Sequence, residues 1–153
     1  MTKIEYMAFG EVAASEFIPL LNKNKVRKHL INHELFDADS VERWIDEKVE
    51  LDAIEGCKVR AILVDTHLAG WCGIQLEQGM HEIAIVLDDV YWGLGIQIFN
   101  EVMTWAKRFG HETVFIHFLD TRPEYRFLRK IATRVFASEF LGNTFTTHEV
   151  RVQ

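Results

Sequence analysis

Apolar positions in the first third of the chain recur at helical spacing, after a short segment at residues 3–9 that predicts a first strand. One helix face is formed by four of them: Ala13, Phe17, Leu20 and Leu21. Pro19 would bend or shorten that helix, and residues 26–30 predict a brief second helix. Ser40 is a candidate N-cap of a third helix that Gly56 would end. In this third helix, Val41, Trp44 and Ile45 form an apolar stripe, and the aliphatic stem of Lys48 lies at its edge.

The pattern changes at Lys58 to short β-type runs separated by turn residues, which predicts an antiparallel meander. The three runs are residues 59–64, 68–76 and 81–87. A helix over 93–109, stopped by Gly110, and a strand over 113–118 then form a single parallel crossover. Strands and helices in this order are typical of an α+β fold.

The last quarter predicts a helix followed by two closing strands. Thr121 is a candidate cap, with Pro123 in the first turn. The side chains predicted to face inward are Phe127, Leu128, Ile131 and Val135. The strands are predicted at 136–141 and 144–152, around Gly142-Asn143.

Composition narrows the class of protein. The chain has 153 residues and is 48% hydrophobic, so a single domain over 1–153 is expected. Its net charge of −6 argues against nucleic acid as a partner. Cys57 and Cys72 fit neither a metal-ligand spacing nor a disulfide framework. Without a signal core or a long apolar run, we expect no membrane partner and a cytoplasmic location.

The segment Tyr91–Gln97 joins a predicted strand to a predicted helix and contains Gly93 and Gly95. Backbone N–H groups at such a helix start converge on an anion, which the helix dipole favours. The sequence therefore predicts a phosphate-bearing ligand at residues 92–97. The alternative is a turn in which backbone passes close to backbone. A dinucleotide fold and a P-loop are excluded, because the third glycine and the Lys-Ser/Thr pair are missing.

The element order, together with the segment Leu87–Ile96, resembles the GNAT acetyltransferases, the Gcn5-related N-acetyltransferase superfamily. The Tyr-Trp-Gly-x-Gly form looks most like the branch that acetylates the N-termini of ribosomal proteins. This resemblance implies a mixed, mostly antiparallel sheet of about seven strands flanked by about four helices.

The resemblance also implies acetyl-CoA as the cosubstrate. Its pyrophosphate would be held by main-chain N–H groups of Trp92, Gly93, Leu94, Gly95, Ile96 and Gln97. The N–H of Ile85 would face the thioester oxygen, and that of Leu87 the pantetheine. Thr121 and Arg126 are further candidates near the start of the last helix, where the alternative is a solvated basic face. The chain departs from the family at Trp92, usually Arg or Gln, and at Gln97, usually Gly or Ala.

An amine nucleophile is mostly protonated at neutral pH and needs a base. Glu82 and His81 lie where the family often has a carboxylate, and strand alternation lets one of them face the cleft. We favour Glu82; the alternatives are a solvated strand-end charge and a turn residue. Tyr125 is a candidate acid, although Leu128 occupies the place of the family's tyrosine, and a partly exposed aromatic is the alternative.

Other chemically interesting side chains are expected to be structural. His117 is predicted to be packed, and Trp71 and Trp105 match core periodicity. His29 and His33 have metal-pair spacing, but no third ligand is evident, so no metal is expected.

Two functions follow from these observations. The first is transfer of the acetyl group of acetyl-CoA to a primary amine, by direct attack within a ternary complex. The second, motivated by Gln97 and Leu128, is a non-catalytic acyl-CoA-binding or protein-interaction module on the same scaffold. The sequence leaves open whether the acceptor is a small molecule or a peptide amine, and whether the chain forms a homodimer.

Overall fold

The computed structural model describes residues 2–27, 34–119, 125–140 and 142–152. One mixed sheet runs through them in the order β1-β2-β3-β4-β5-β7-β6, in which β4 and β5 are parallel and the other neighbours antiparallel. Its strands are β1 (Ile4–Met7), β2 (Lys58–Val64), β3 (His67–Glu77), β4 (Met80–Leu87), β5 (Thr113–Leu119), β6 (Ala132–Phe140) and β7 (Asn143–Arg151).

Five α-helices accompany the sheet in the described residues: α1 (Ala14–Asn22), α2 (Asn24–Arg27), α3 (Ala38–Asp52), α4 (Gly95–Phe109) and α5 (Arg126–Ile131). Short 3₁₀ turns lie at Phe9–Glu11 and Asp89–Leu94. The predicted α+β class and mostly antiparallel seven-stranded sheet are confirmed, with five helices instead of about four.

The start of α3 differs from the prediction. Asp37, not Ser40, is the N-cap, because its carboxylate accepts from the Ser40 N–H at 2.8 Å while the Ser40 hydroxyl accepts from the Asp37 N–H at 2.9 Å. These reciprocal bonds form a capping box. The helix ends at the cap Ala53, and Gly56 lies beyond it in the left-handed conformation.

The segment Tyr91–Gln97, from here on the glycine segment, differs from the prediction, because the helix predicted over 93–109 starts later. Gly93 belongs to the 3₁₀ turn, and the α-helix begins at Gly95. The predicted end is confirmed, because Gly110 caps α4 in the left-handed conformation at φ 84°.

The last predicted helix is too long. α5 ends at Ile131, and β6 starts four residues before the predicted strand. Val135, expected to face inward from a helix, pairs with His148 of β7 and is exposed. Ile131 is also exposed, whereas Leu128 is buried as expected. A long antiparallel ladder with β7 outweighs local helical periodicity here.

Hydrophobic clusters cover both faces of the sheet. On one face α4 packs Ile98, Phe99 and Val102 against strand residues. On the other, α1 and α3 contribute Phe17 and Val41 among others. The part of the sheet from β1 to β4 is thus covered on both faces, and the β4–β5 junction lies where the cover by α1 and α3 ends.

Candidate functional site

The parallel strands β4 and β5 separate shortly after they meet. Among the described residues their register pairs one position, Glu82 with Phe115. A cavity of about 690 Å³ occupies the junction and is lined from both faces of the sheet. Its size falls in the range of small-molecule sites, roughly 300–1,000 Å³.

Two main-chain donors of β4 point into this gap. The Asp88 N–H donates to the Ala69 carbonyl of the β3 side at 2.8 Å. Because N–H groups alternate in direction along a strand, those of Ile85 and Leu87 point away from β3, towards β5. Both residues line the cavity, so the strand offers two successive donors where its neighbour has moved away.

The glycines of the Tyr91–Gln97 segment are not explained by contacts within the protein. A Cβ atom added at Gly93 or Gly95 would meet nothing within 4 Å among the described residues, and neither has a positive φ. The alternative of a close backbone crossing is therefore wrong at these positions. The Gly95 N–H donates to the Trp92 carbonyl of the preceding 3₁₀ turn. Leu94, the N-cap of α4, makes no side-chain cap hydrogen bond, so the next N–H groups of the first turn, those of Ile96 and Gln97, lack a capping side chain and suit an anion. The segment fits a diphosphate approaching the backbone.

The two residues that depart from the family pattern differ in position: Trp92 lines the cavity, and Gln97 does not. The Trp92 indole N–H donates to the Leu87 carbonyl at 3.0 Å, which places the ring against the cavity wall. Gln97 is exposed and does not line the cavity. It therefore does not plug the cleft.

An ion cluster ties the N-terminal helices to the start of the glycine segment. Lys23 Nζ lies 2.6 Å from carboxylate oxygens of both Asp88 and Asp89. Hydrogen bonding from Lys23 lowers the pKa of the Asp89 carboxyl to about 2, and the two aspartates raise the pKa of Lys23. The start of the 3₁₀ turn that contains Gly93 is thereby anchored to Lys23, between α1 and α2.

Glu82 extends from β4 into the cavity on the face that α3 covers. Burial raises the pKa of its carboxyl from 4.5 to about 7, aided by the negative charge of Glu77. Lys48 and a hydrogen bond from Gln75 act in the opposite direction. A carboxyl that titrates near neutral pH is well suited to exchange protons.

Lys48 is a site residue that the sequence did not reveal, since periodicity placed it at the edge of an apolar stripe. Its Nζ donates to Gln75 Oε1 at 2.6 Å and lies 4.3 Å from the centroid of the Trp71 ring. Burial lowers its pKa to about 8. Trp71 matches its predicted core position, yet it also lines the cavity, and its buried indole N–H has no partner among the described residues.

His117 is packed, as predicted, but it also faces Glu82. Its Nε2 lies 3.7 Å from Glu82 Oε2, and its Nδ1 lies 2.7 Å from the Thr147 hydroxyl, which bonds the Ser138 hydroxyl at 2.9 Å. Burial lowers the pKa of the imidazole to about 4, so the ring is neutral at neutral pH. Alternation from Phe115, the partner of Glu82, would have placed His117 on the same face.

His81 lies on the opposite face of β4 from Glu82. Its ring packs 4.1 Å from that of His111, and its pKa is lowered by burial and by His111. It does not line the cavity. Of the two candidate bases, Glu82 is therefore the one that faces the cleft.

Two further candidates, Tyr125 and Arg126, lie at the start of α5. Tyr125 is exposed at the cavity wall, with its ring 5.1 Å from that of Phe118. Arg126 also lines the cavity, whereas Thr121 lies outside the described residues. Leu128 is buried in the α4-side cluster.

In the described parts of the chain, no group of three or more His, Cys, Asp or Glu side chains could hold a metal ion. His29 and His33 lie outside those parts. No described helix is long and apolar enough to span a bilayer.

Known proteins resemble this chain in structure rather than in sequence. No protein-family model and no curated protein matches it. An acetyltransferase from Salmonella typhimurium that modifies the N-terminal serine of ribosomal protein L7/L12 superposes with a TM-score of 0.73 at 16% identity, over 99% of this chain and 95% of that one. A GNAT-family acetyltransferase from Streptococcus pneumoniae gives 0.66 at 14%, over 100% of both chains.

A third neighbour is the microcin C7 self-immunity acetyltransferase MccE, in complex with acetyl-CoA and AMP. It gives a TM-score of 0.70 at 15% identity, over 99% of this chain and 92% of that one. At these identities the likeness establishes the architecture, and it agrees with the resemblance carried by the glycine segment. This chain has the fold of the GNAT-family acetyltransferases.

Proposed function

We propose that this protein transfers the acetyl group of acetyl-CoA to a primary amine, by direct attack within a ternary complex. The observation that carries the proposal is the opening between β4 and β5, where donors from Ile85 and Leu87 meet a cavity bounded by the glycine segment and by Glu82. The fold it shares with acetyltransferases, one of them holding acetyl-CoA, supports the same reaction.

Acetyl-CoA would supply a thioester whose carbonyl carbon an amine can attack. The N–H of Ile85 would donate to the thioester oxygen as negative charge develops there, and a preorganised donor in a dry cleft is effective. The N–H of Leu87 would hold the pantetheine, and the backbone of residues 92–97 the diphosphate, with Arg126 as a further phosphate contact. Support comes from the open space beside Gly93 and Gly95.

Glu82 is the proposed general base. It would take the proton that the attacking amine must lose, and its pKa of about 7 leaves it able both to accept and to release a proton at neutral pH. His117 faces it as a neutral ring. Tyr125 is the candidate that would protonate the departing thiolate, because it lies at the cavity wall.

The acceptor is proposed as an amine that enters beside Trp71 and Lys48. The structural neighbour that modifies an N-terminal serine makes a peptide N-terminus the first acceptor to test. We propose a cytoplasmic location, where two free buried cysteines remain reduced.

The test is a transfer assay with labelled acetyl-CoA and a panel of amines, comprising N-terminal peptides, lysine peptides, polyamines and amino sugars. We expect acetylation of at least one class and loss of it in Glu82→Gln. Thermal shift with CoA runs in parallel, since ligand at 100 times its dissociation constant adds about 2.7 kcal/mol to stability. A shift without transfer would favour the non-catalytic module. Absence of any shift would refute the acetyl-CoA site itself.

A further inference from the structure

The side-chain amine of Lys48 lies inside the cavity instead of extending into solvent. Nζ is fixed between two residues of β3, Gln75 at 2.6 Å and the Trp71 ring at 4.3 Å. The register pairs Gln75 with Glu82 and Trp71 with Val86. Nζ is therefore held beside the stretch of β4 that runs from Glu82 to Val86.

This stretch contains both groups that acetyl transfer requires. Glu82 is linked to Lys48 through Gln75, whose amide oxygen accepts from Nζ and whose side chain also hydrogen-bonds Glu82. Ile85, with its N–H directed into the β4–β5 gap, lies within the same stretch. A primary amine of the protein itself thus occupies the position where an amine acceptor is expected.

We propose that Lys48 is an acetyl acceptor, and that the protein acetylates its own Nζ from acetyl-CoA when no other amine fills the cavity. This inference rests on the proposed function. The Nζ lone pair forms a bond to the thioester carbonyl carbon, and the carbon–sulfur bond breaks, so that the sulfur leaves with its electron pair. Of the two protons lost by the ammonium, one goes to Glu82 and one to the thiolate.

The protonation state of Lys48 agrees with this role. Burial lowers its pKa to about 8, although the charges of Glu82, Glu47 and Glu77 act to raise it. About half of the amine is then uncharged at pH 8, against less than roughly 1% of an exposed lysine. Lys48 is therefore a much better nucleophile than the lysines on the surface.

Lys58 provides a matched control within the same chain. Its Nζ also lies over a tryptophan, 4.5 Å from the Trp105 centroid, and burial also lowers its pKa. It lies outside the cavity. Spontaneous acetylation by free acetyl-CoA would modify both lysines, whereas transfer guided by the cleft would modify Lys48 alone.

The experiment incubates the full chain with acetyl-CoA and no added amine, and follows acetylation by intact mass and peptide mapping. We expect one acetyl group per chain, on Lys48, with at least tenfold preference over Lys58. Excess CoA should suppress it, Lys48→Arg should abolish it, and Glu82→Gln should slow it about 10²-fold. An NMR titration of methylated lysines, without acetyl-CoA, should give Lys48 a pKa clearly below the ordinary lysine value of about 10.4.

Equal acetylation of Lys48 and Lys58, or modification insensitive to CoA, would overturn the inference. An unmodified Lys48 in protein that acetylates an added amine would overturn it too, while the proposed function stands. If the protein shows no thermal shift with CoA, both the proposed function and this inference are refuted. A cooperative urea transition of Lys48→Arg, with a midpoint close to that of the wild type, shows that its loss of self-acetylation comes from the missing acceptor amine and not from loss of the fold.

Discussion

Replacing Glu82 by Gln is the sharpest test of the buried carboxyl, because the structure predicts opposite effects on turnover and on stability. Gln has nearly the same shape and is always neutral. In the wild type, the carboxyl faces Lys48, Glu77, Gln75 and the neutral His117.

The effect on stability follows from burial. The pKa of Glu82 is 4.5 without the fold and about 7 within it. The folded state therefore binds more protons between these values, and the contribution of Glu82 to stability is full below pH 4.5 and is lost as the pH rises through 7. The loss corresponds to roughly 3 kcal/mol at 1.36 kcal/mol per pKa unit. Glu82→Gln should match the wild type at pH 4 and be more stable by up to about this amount at pH 8.

The effect on turnover has the opposite sign. A general base contributes about 10²–10⁴-fold, which is roughly 3–5 kcal/mol in the activation barrier. With saturating amine, wild-type kcat should rise with pH and level off above about 7. The variant should lose that dependence together with most of its rate. Urea unfolding at pH 4 and pH 8 measures the first effect, and the pH profile of kcat the second.

His81→Gln is the matched control. It changes the adjacent side chain, which lies on the opposite face of β4, and should leave kcat and its pH profile unchanged. A Glu82→Gln variant that retains more than a tenth of wild-type kcat, with the acidic limb intact, would refute the assignment of the base. Equal stabilities of variant and wild type at pH 8 would refute the argument from burial.

Three further predictions use other parts of the site. Gly95→Ala should raise the free energy of unfolding by about 0.5–1 kcal/mol, because the added Cβ meets open space. The same variant should bind CoA more weakly when binding is measured by calorimetry. Gly70→Ala, in contrast, should lower the free energy of unfolding by more than about 1 kcal/mol, since its Cβ would lie 1.9 Å from the Val86 carbonyl oxygen. The pKa of His117 is about 4 in the folded protein and 6.5 in the unfolded chain, so the wild type loses stability as the pH falls from 6.5 to 4. His117→Gln should therefore lose less free energy of unfolding over this range, as measured by urea unfolding. Trp92→Phe removes the bond to the Leu87 carbonyl and should lower the free energy of unfolding by about 1 kcal/mol; an unchanged urea midpoint would contradict it.

Local pattern was enough to predict the meander, the crossover and the end of α4. Alternation of apolar residues and the turn residues between 58 and 87 act over a few positions, and Gly110 ends its helix through its own backbone conformation. These features need no knowledge of distant contacts. The motif at Gly93 and Gly95 was visible for the same reason.

Other features depend on partners that are remote in sequence. Residues 132–135 continue a helical pattern, but pairing with β7 decides their conformation. Lys48 acquires its role from Gln75 and Trp71 on another element, and no local signal marks it. The sequence could have indicated both Asp37 and Ser40 as candidate N-caps of α3, because either residue type can cap a helix. The reciprocal hydrogen bonds in the structure decide between them.

The early separation of β4 from β5 has a consequence for the cohesion of the molecule. A strand whose backbone groups lack a neighbour is normally found at the rim of a sheet, where it is prone to recruit other chains. Here such a rim lies in the middle of the sheet, beside the cavity. A molecule that fills the gap would bridge the two parts of the sheet. The amide hydrogens of β5 should therefore exchange more slowly once the gap is filled.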